Sequence, residues 1–331
     1  MELIYPSYYN DFSCIAGACP DSCCHEWEVQ VDAASAARFR ALEGELGDAL
    51  REHLYDEDGE TYLRNVNDRC PMWRADGLCR IQAEQGHDAL CTVCQQFPRL
   101  RQDYGEFVEL GLEMSCPEAA RMMLSLDSWS LVSEEVPGGD EPDYDEELME
   151  LLRETRPYAL ALLADRKVPV NVRLARLLLY GHHVQAMIDG GEVYDFDPAQ
   201  AEDLLIRCEG QGDFELLRAF YQELEILTER WSERLAGAGE GSRFDEKLCK
   251  LAAYQVYRYW YQAVSDWDLA ARVKLIVAGC CLVARLTGEM TANIQLYAKE
   301  IENDAANVDA ILDGAFTERA LTDANLLAML A

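Results

Sequence analysis

The chain has 331 residues, half of them hydrophobic, with 29 basic against 61 acidic side chains and a formal charge of −32. That length and apolar content exclude a disordered tail and leave room for two domains, each with its own core. The acidity excludes nucleic acid, which wants a basic footprint, and favours either basic protein surfaces or plain solubility.

In chain order, Met1 to Pro6 lacks the basic start and apolar run of a secretory signal. The most apolar run, Leu275 to Ala284, is about half of the ~20 residues a membrane span needs. No membrane partner is therefore expected, and the chain reads as cytoplasmic. Tyr5 to Phe12 is aromatic, turn-rich and leads into the first cysteines. Glu28 to Val31 alternates like a short strand, and Asp32 suits the N-cap of a helix over Ala33 to Leu54 with Phe39, Leu42, Leu46 and Leu50 on one stripe. Asp56 to Gly59 is a turn, and Thr61 to Leu63 begins a second extended piece. A short helix is expected over Gln82 to His87 and a strand over Phe107 to Met114. Pro117 suits the first position of a helix over Glu118 to Leu126.

Ser133 to Glu147 is rich in Pro, Gly and acids. It reads as an acidic linker (133–147) between a cysteine-rich domain over 1–132 and a helical domain over 148–331. Predicted helices then run Glu146–Leu163, Val170–Ile188, Pro198–Glu209, Phe214–Leu235, Phe244–Val264, Leu269–Leu286 and Asn293–Leu312. The expected fold is mainly α: a loop-rich, metal-binding N-terminal domain with little β, then a helical C-terminal domain.

Thirteen cysteines are present, and nine fall in the first third: Cys14, Cys19, Cys23, Cys24, Cys70, Cys79, Cys91, Cys94 and Cys116. A reducing cytosol disfavours structural disulfides, so thiols clustered there point to metal or to chemistry. Thiolate is the soft ligand that zinc and iron–sulfur clusters take. Two cysteines two residues apart, as at Cys91 and Cys94, can turn both sulfurs onto one ion, and four ligands close a zinc site or a [4Fe–4S] cluster. All nine are candidate ligands, and zinc and iron–sulfur stay open as alternatives. Cys19, Cys70 and Cys116 each precede proline, which holds them in extended backbone. Cys116 also stands at a predicted helix N-terminus, where the dipole favours thiolate.

The C-x3-C-x2-C spacing of radical enzymes fails, because Glu26 stands where its third cysteine would follow Cys19 and Cys23, and His87 where the first would precede Cys91. His25 and His87 read as surface or outer-sphere residues. Cys208, Cys249, Cys280 and Cys281 read as core thiols. Tyr254, Tyr257 and Tyr261 share a helix face and read as core, while Tyr8, Tyr9, Trp27 and Trp73 are candidates to wall the metal site or a pocket. His182-His183 reads as a satisfied or exposed pair.

The spacings resemble a known family, the flagellin lysine-N-methylases. The resemblance rests on Pro6-x-Tyr8-Tyr9 before Cys14, Cys19-x3-Cys23-Cys24, Cys70-Pro71, Asp76-Gly77-Leu78-Cys79, Leu90-Cys91-x2-Cys94-x2-Phe97-Pro98-Arg99 and Ser115-Cys116-Pro117-Glu118-Ala119-Ala120. It covers residues 5 to 126, with a looser likeness in the aromatic stretch Lys247 to Tyr261. It implies methylation of lysine on flagellin or another lysine-bearing protein surface, with S-adenosylmethionine as cofactor and a metal or [4Fe–4S] centre among the cysteines. The subset Cys19, Cys23, Cys24, Cys70, Cys79 and Cys94 is also similar to small proteins described as zinc- or iron-chelating. The alternative function is therefore a non-catalytic metal carrier, store or sensor. No glycine-rich turn of the dinucleotide-binding kind follows a predicted strand, so neither cofactor-binding nor catalytic residues are assigned.

Overall fold

The computed structural model describes residues 1–25, 29–191, 195–239 and 241–331. The molecule is mainly helical, as expected, but its N-terminal region holds more β-structure than the sequence suggested. The strands are β1 (Glu2–Pro6), β2 (Val29–Val31), β3 (Leu54–Glu57), β4 (Glu60–Leu63), β5 (Arg99–Asp103), β6 (Phe107–Leu112) and β7 (Leu131–Glu135). They form two sheets, ordered β5-β6-β1-β7 and β2-β4-β3. Asp58 and Gly59, at φ 51° and 90°, make the β3–β4 hairpin, because consecutive positive φ values match the twist of the flanking strands. Glu28, expected to open β2, and Trp27 lie outside the described residues.

Several predicted helices are broken in two, each at a cap or glycine inside an apolar run. The helix expected over Ala33 to Leu54 becomes Ala33–Ala41 and Gly44–His53, because Gly44 takes φ +85° and Leu54 starts β3. Asp32 caps the first as expected, accepting from Ser35 N at 2.9 Å. Phe214 to Leu235 splits into Phe214–Glu223 and Glu229–Ala236, with Thr228 capping the second. Asn293 to Leu312 splits into Met290–Tyr297, a π-helical turn Ala298–Glu302, and Ala305–Thr317 capped by Asp304.

Two buried cores lie behind these elements. The larger takes Ile4, Phe107, Leu112 and Ala119 from the N-terminal third together with the C-terminal helices. Leu269–Val283 runs through it buried almost throughout. Val170–Ile188 crosses that helix at Gly181, where a Cβ would come within 2.6 Å of Val273. The smaller core packs Val29, Val31, Phe39, Leu50, Leu63 and Met72 around Cys70 and Cys91.

Glu109 on β6 and Arg156 on the helix Glu146–Ala164 join sheet to helices, with oxygen–nitrogen distances of 2.8 and 2.5 Å. Both side chains are closed to solvent, so each depends on the other to offset its desolvation. Tyr257 on the helix Glu246–Tyr259 donates to Leu110 O at 2.8 Å. Ser133, Glu134 and Glu135, expected at the start of the acidic linker, instead pair with β1 in β7.

Candidate metal centre and adjoining cavity

Four short backbone segments carry the nine cysteines, and local chemistry brings them together. Gly17 and Gly77 touch: a Cβ on Gly77, which sits at φ +79°, would lie 2.8 Å from Gly17 Cα. Only residues without a side chain allow that approach, and it lays the loop of Cys14 to Cys24 against the loop of Cys70 to Cys79. Cys70 N donates to Cys24 O at 2.9 Å across the same junction. Asp32 does a second job here. Its Oδ2 accepts from Thr92 N at 2.9 Å and Thr92 Oγ1 at 2.8 Å, fixing the turn Thr92–Gln96 that follows Cys91 and contains Cys94. Those donors hold the Asp32 carboxyl well below its usual range, the Thr92 N–H foremost.

The thiols fall into two neighbouring groups. Cys23 and Cys70 hydrogen-bond Cys24, which lowers the Cys24 thiol, Cys23 having the larger effect. Cys94 does the same for Cys91. Cys79 lies within electrostatic reach of Cys24 and Cys91, and Cys94 of Cys23 and Cys24. Cys14, Cys19 and Cys116 form the second group, joined to the first through Cys23. Cys116 does precede the helix Pro117–Ser125 with Pro117 in its first turn. Burial outweighs the backbone N–H groups of Ala119 and Glu118 and pushes its thiol up to about 11.

Among the described residues no disulfide joins the cysteines. The donor chemistry fits zinc or an iron–sulfur cluster, since nine soft ligands share one neighbourhood. Among the described residues, however, no three His, Cys, Asp or Glu side chains converge with the geometry of a metal site. Cys249, Cys280 and Cys281 are buried in helices away from the cluster, and burial pushes Cys249 and Cys281 up to about 12. His87 is on the surface beside Asp88, and the His25 ring packs 6.0 Å from Trp73. His182 is satisfied by Asp323 at 2.9 Å.

Asp21, between Cys19 and Cys23, ties the loop to the helical part. Its carboxylate accepts from Lys299 at 3.0 Å, Arg230 at 2.9 Å and Gln295 at 2.9 Å. Lys299 belongs to the π-helical turn, and such turns recur at functional sites because they displace one residue from the regular helix face. The last residue of that turn, Glu302, is buried and accepts from Tyr254 at 2.7 Å, Gln255 at 2.7 Å and Arg258 at 3.3 Å. Tyr254, Tyr257 and Tyr261 are all buried, as expected of core. Tyr8 turns into the core against Trp129, while Trp73 stays near the cysteines beneath the Arg69 guanidinium.

A cavity of about 510 Å³ opens between the thiols and this turn, with Cys23, Cys94, Phe97, Glu113, Leu227 and Glu302 among its walls. Burial raises the Glu113 carboxyl against the pull of Arg258 and Ser115. Sequence reasoning missed Asp21, Glu113 and the π-helical turn. The signal that could have found Asp21 is an acid isolated between two cysteines. Gly210 to Gly212 and Gly237 to Gly239 lie after helices and not after strands, so the sheet offers no phosphate-binding glycine turn there.

Among curated proteins, the chain is similar to the lysine-N-methylases of Salmonella typhimurium (strain LT2) and Salmonella choleraesuis (strain SC-B67). Each is 29% identical over 127 residues, 36% of this chain and 32% of the relative. It is also similar to the flagellar biosynthetic protein FliU of Salmonella muenchen, 29% identical over 131 residues, 36% of this chain and 75% of that protein. The match thus spans about a third of the length of the two lysine-N-methylases. No family model and no solved structure matches the chain. The resemblance to flagellin lysine-N-methylases carried by the cysteine spacings is therefore found in curated relatives, over about a third of the chain. No helix among the described residues is long and apolar enough to cross a membrane.

Proposed function

We propose that the chain is a protein-lysine N-methyltransferase acting on flagellin, with S-adenosylmethionine as methyl donor. The observation that carries this reading is the likeness to proteins named lysine-N-methylase. The cavity beside the thiols supports it, since its volume suits small-molecule or side-chain ligands. S-adenosylmethionine would supply an electrophilic methyl group, which passes to the lysine nitrogen as the carbon–sulfur bond breaks and sulfur keeps the electron pair.

What the chain itself must do is bind a lysine side chain, strip one proton from its ammonium and hold the nitrogen in line. The half-enclosed cavity excludes water from part of that space, and its carboxylates favour the cationic form on arrival. Cys24, Cys70, Cys91 and Cys94 would hold the metal or [4Fe–4S] centre, with Cys14, Cys19, Cys23, Cys79 and Cys116 as further candidate ligands. Such a centre would lock four separate segments in one arrangement.

The test is transfer of labelled methyl groups from S-adenosylmethionine to flagellin by the full chain purified without oxygen. Label on flagellin lysines is expected. A protein that binds no S-adenosylmethionine and surrenders its metal readily to a chelator would be a carrier, and the methyltransferase reading would fall.

A further inference from the structure

The cavity between the cysteine cluster and the π-helical turn is lined by both carboxylates and apolar side chains. Three carboxylates stand on its wall: Glu113, Glu302 and Asp304. Two of them are already engaged. Glu302 has Arg258 at 3.3 Å, Tyr254 and Gln255, and Asp304 caps the next helix by accepting from Ala306 N at 2.8 Å. Glu113 differs. Among the described residues its carboxylate takes one hydrogen bond, from Ser115 Oγ at 3.0 Å, and the cation that acts on it, Arg258, is paired with Glu302 and stands beyond ion-pair distance. A half-buried carboxylate facing a cavity is stabilised by a cation, and the charge-assisted hydrogen bond is among the strong ones.

We propose that this cavity receives the side-chain ammonium of the substrate lysine, with Glu113 as its carboxylate partner. The assignment takes its substrate class from the lysine-methylation reading. A carboxylate is an acceptor that suits the N–H donors of an ammonium and finds none on the sulfonium centre of the methyl donor, whose own α-ammonium the displacement experiment below distinguishes. Phe97, on the same wall, gives an apolar surface to the lysine stem. A lysine that belongs to a protein must enter from an open side, and Val93, which lines the cavity, is 48% exposed.

The experiment is calorimetric titration of the full chain, purified without oxygen, with Nα-acetyl-lysine N-methylamide and with the uncharged norleucine analogue. The lysine probe should bind and the norleucine probe should not. Glu113→Gln should weaken the lysine probe about ten- to a hundredfold, and Glu113→Asp should restore part of the loss. Equal affinity of Glu113→Gln and wild type would overturn the assignment. So would displacement of the probe by S-adenosylmethionine, which would give the cavity to the donor. If Glu113→Gln does not fold, the two probes on wild type decide, since equal binding or none at all overturns it. A chain that binds the lysine probe through Glu113 but transfers no methyl group to flagellin would sink the methyltransferase reading and leave the ammonium site. A chain that methylates flagellin with a KM unmoved by Glu113→Gln would do the reverse.

Discussion

Lys299 Nζ and Asp21 Oδ1 stand 3.0 Å apart, with only 2% and 9% of their side chains exposed. Their sequence separation is the reason this matters, because one belongs to the first cysteine loop and the other to the π-helical turn. Asp21→Asn removes a charge shared by Lys299, Arg230 and Gln295. Breaking a buried pair typically costs ~3–5 kcal/mol, and urea denaturation should show a loss of that order. A loss no larger than that of a surface substitution would mean that the loop is not held this way.

Gly181→Ala should destabilise the helical core by about 1–3 kcal/mol, although alanine is the better helix former. The new Cβ would meet Val273 Cβ at 2.8 Å and its Cγ2 at 2.6 Å, atoms too close to the backbone to swing aside. Thermal unfolding checks it, and a raised Tm would refute the close crossing.

Glu289 caps the helix Met290–Tyr297, accepting from Ala292 N at 2.8 Å and pairing with Lys247 at 3.0 Å. Burial alone would raise its carboxyl, but the Thr291 and Ala292 N–H groups and Lys247 outweigh it and hold the group down to about 2. A depressed acid stabilises the fold above its unfolded pKa and loses that contribution as pH falls through its folded one. Glu289→Ala should therefore cost about 1 kcal/mol at pH 7, the usual worth of a cap. The difference should begin to shrink below about pH 4.5. A gap that stays constant from pH 7 down to pH 3 would contradict the cap.

Protein purified without oxygen should carry metal on the cysteine cluster, either as a broad absorption near 400 nm with about four irons per chain or as zinc without colour. Cys24→Ser and Cys91→Ser should each lose most of it. Cys280→Ser should keep it, because that thiol lies buried against Leu248 O. Folded wild-type protein with neither metal would remove the central role given to the thiols.

What was legible in the sequence followed from short-range signals. Asp32 announced its helix, Pro117 began the one after Cys116, and the cysteine spacings drew attention to segments that do assemble. What was hidden depended on distance along the chain. β1 and β7 pair across more than a hundred residues, and no local pattern in Glu2–Pro6 names its partners. The breaks at Gly44, Thr228 and Asp304 fell inside runs whose apolar period continues across them, so periodicity read each pair of helices as one. Glu113 and Asp21 were invisible for a related reason, since each gains its meaning from residues elsewhere, Ser115 and Arg258 around one and Lys299 around the other.

β1 lies between β6 and β7, parallel to the first and antiparallel to the second. β1 therefore cannot complete its ladders until Leu131–Glu135 has been made. Such non-local closure is slow, and until then Leu3, Ile4 and Tyr5 wait with open strand edges. The four-stranded sheet therefore closes only when β7 arrives, and β1 is an open template for strand addition up to that moment.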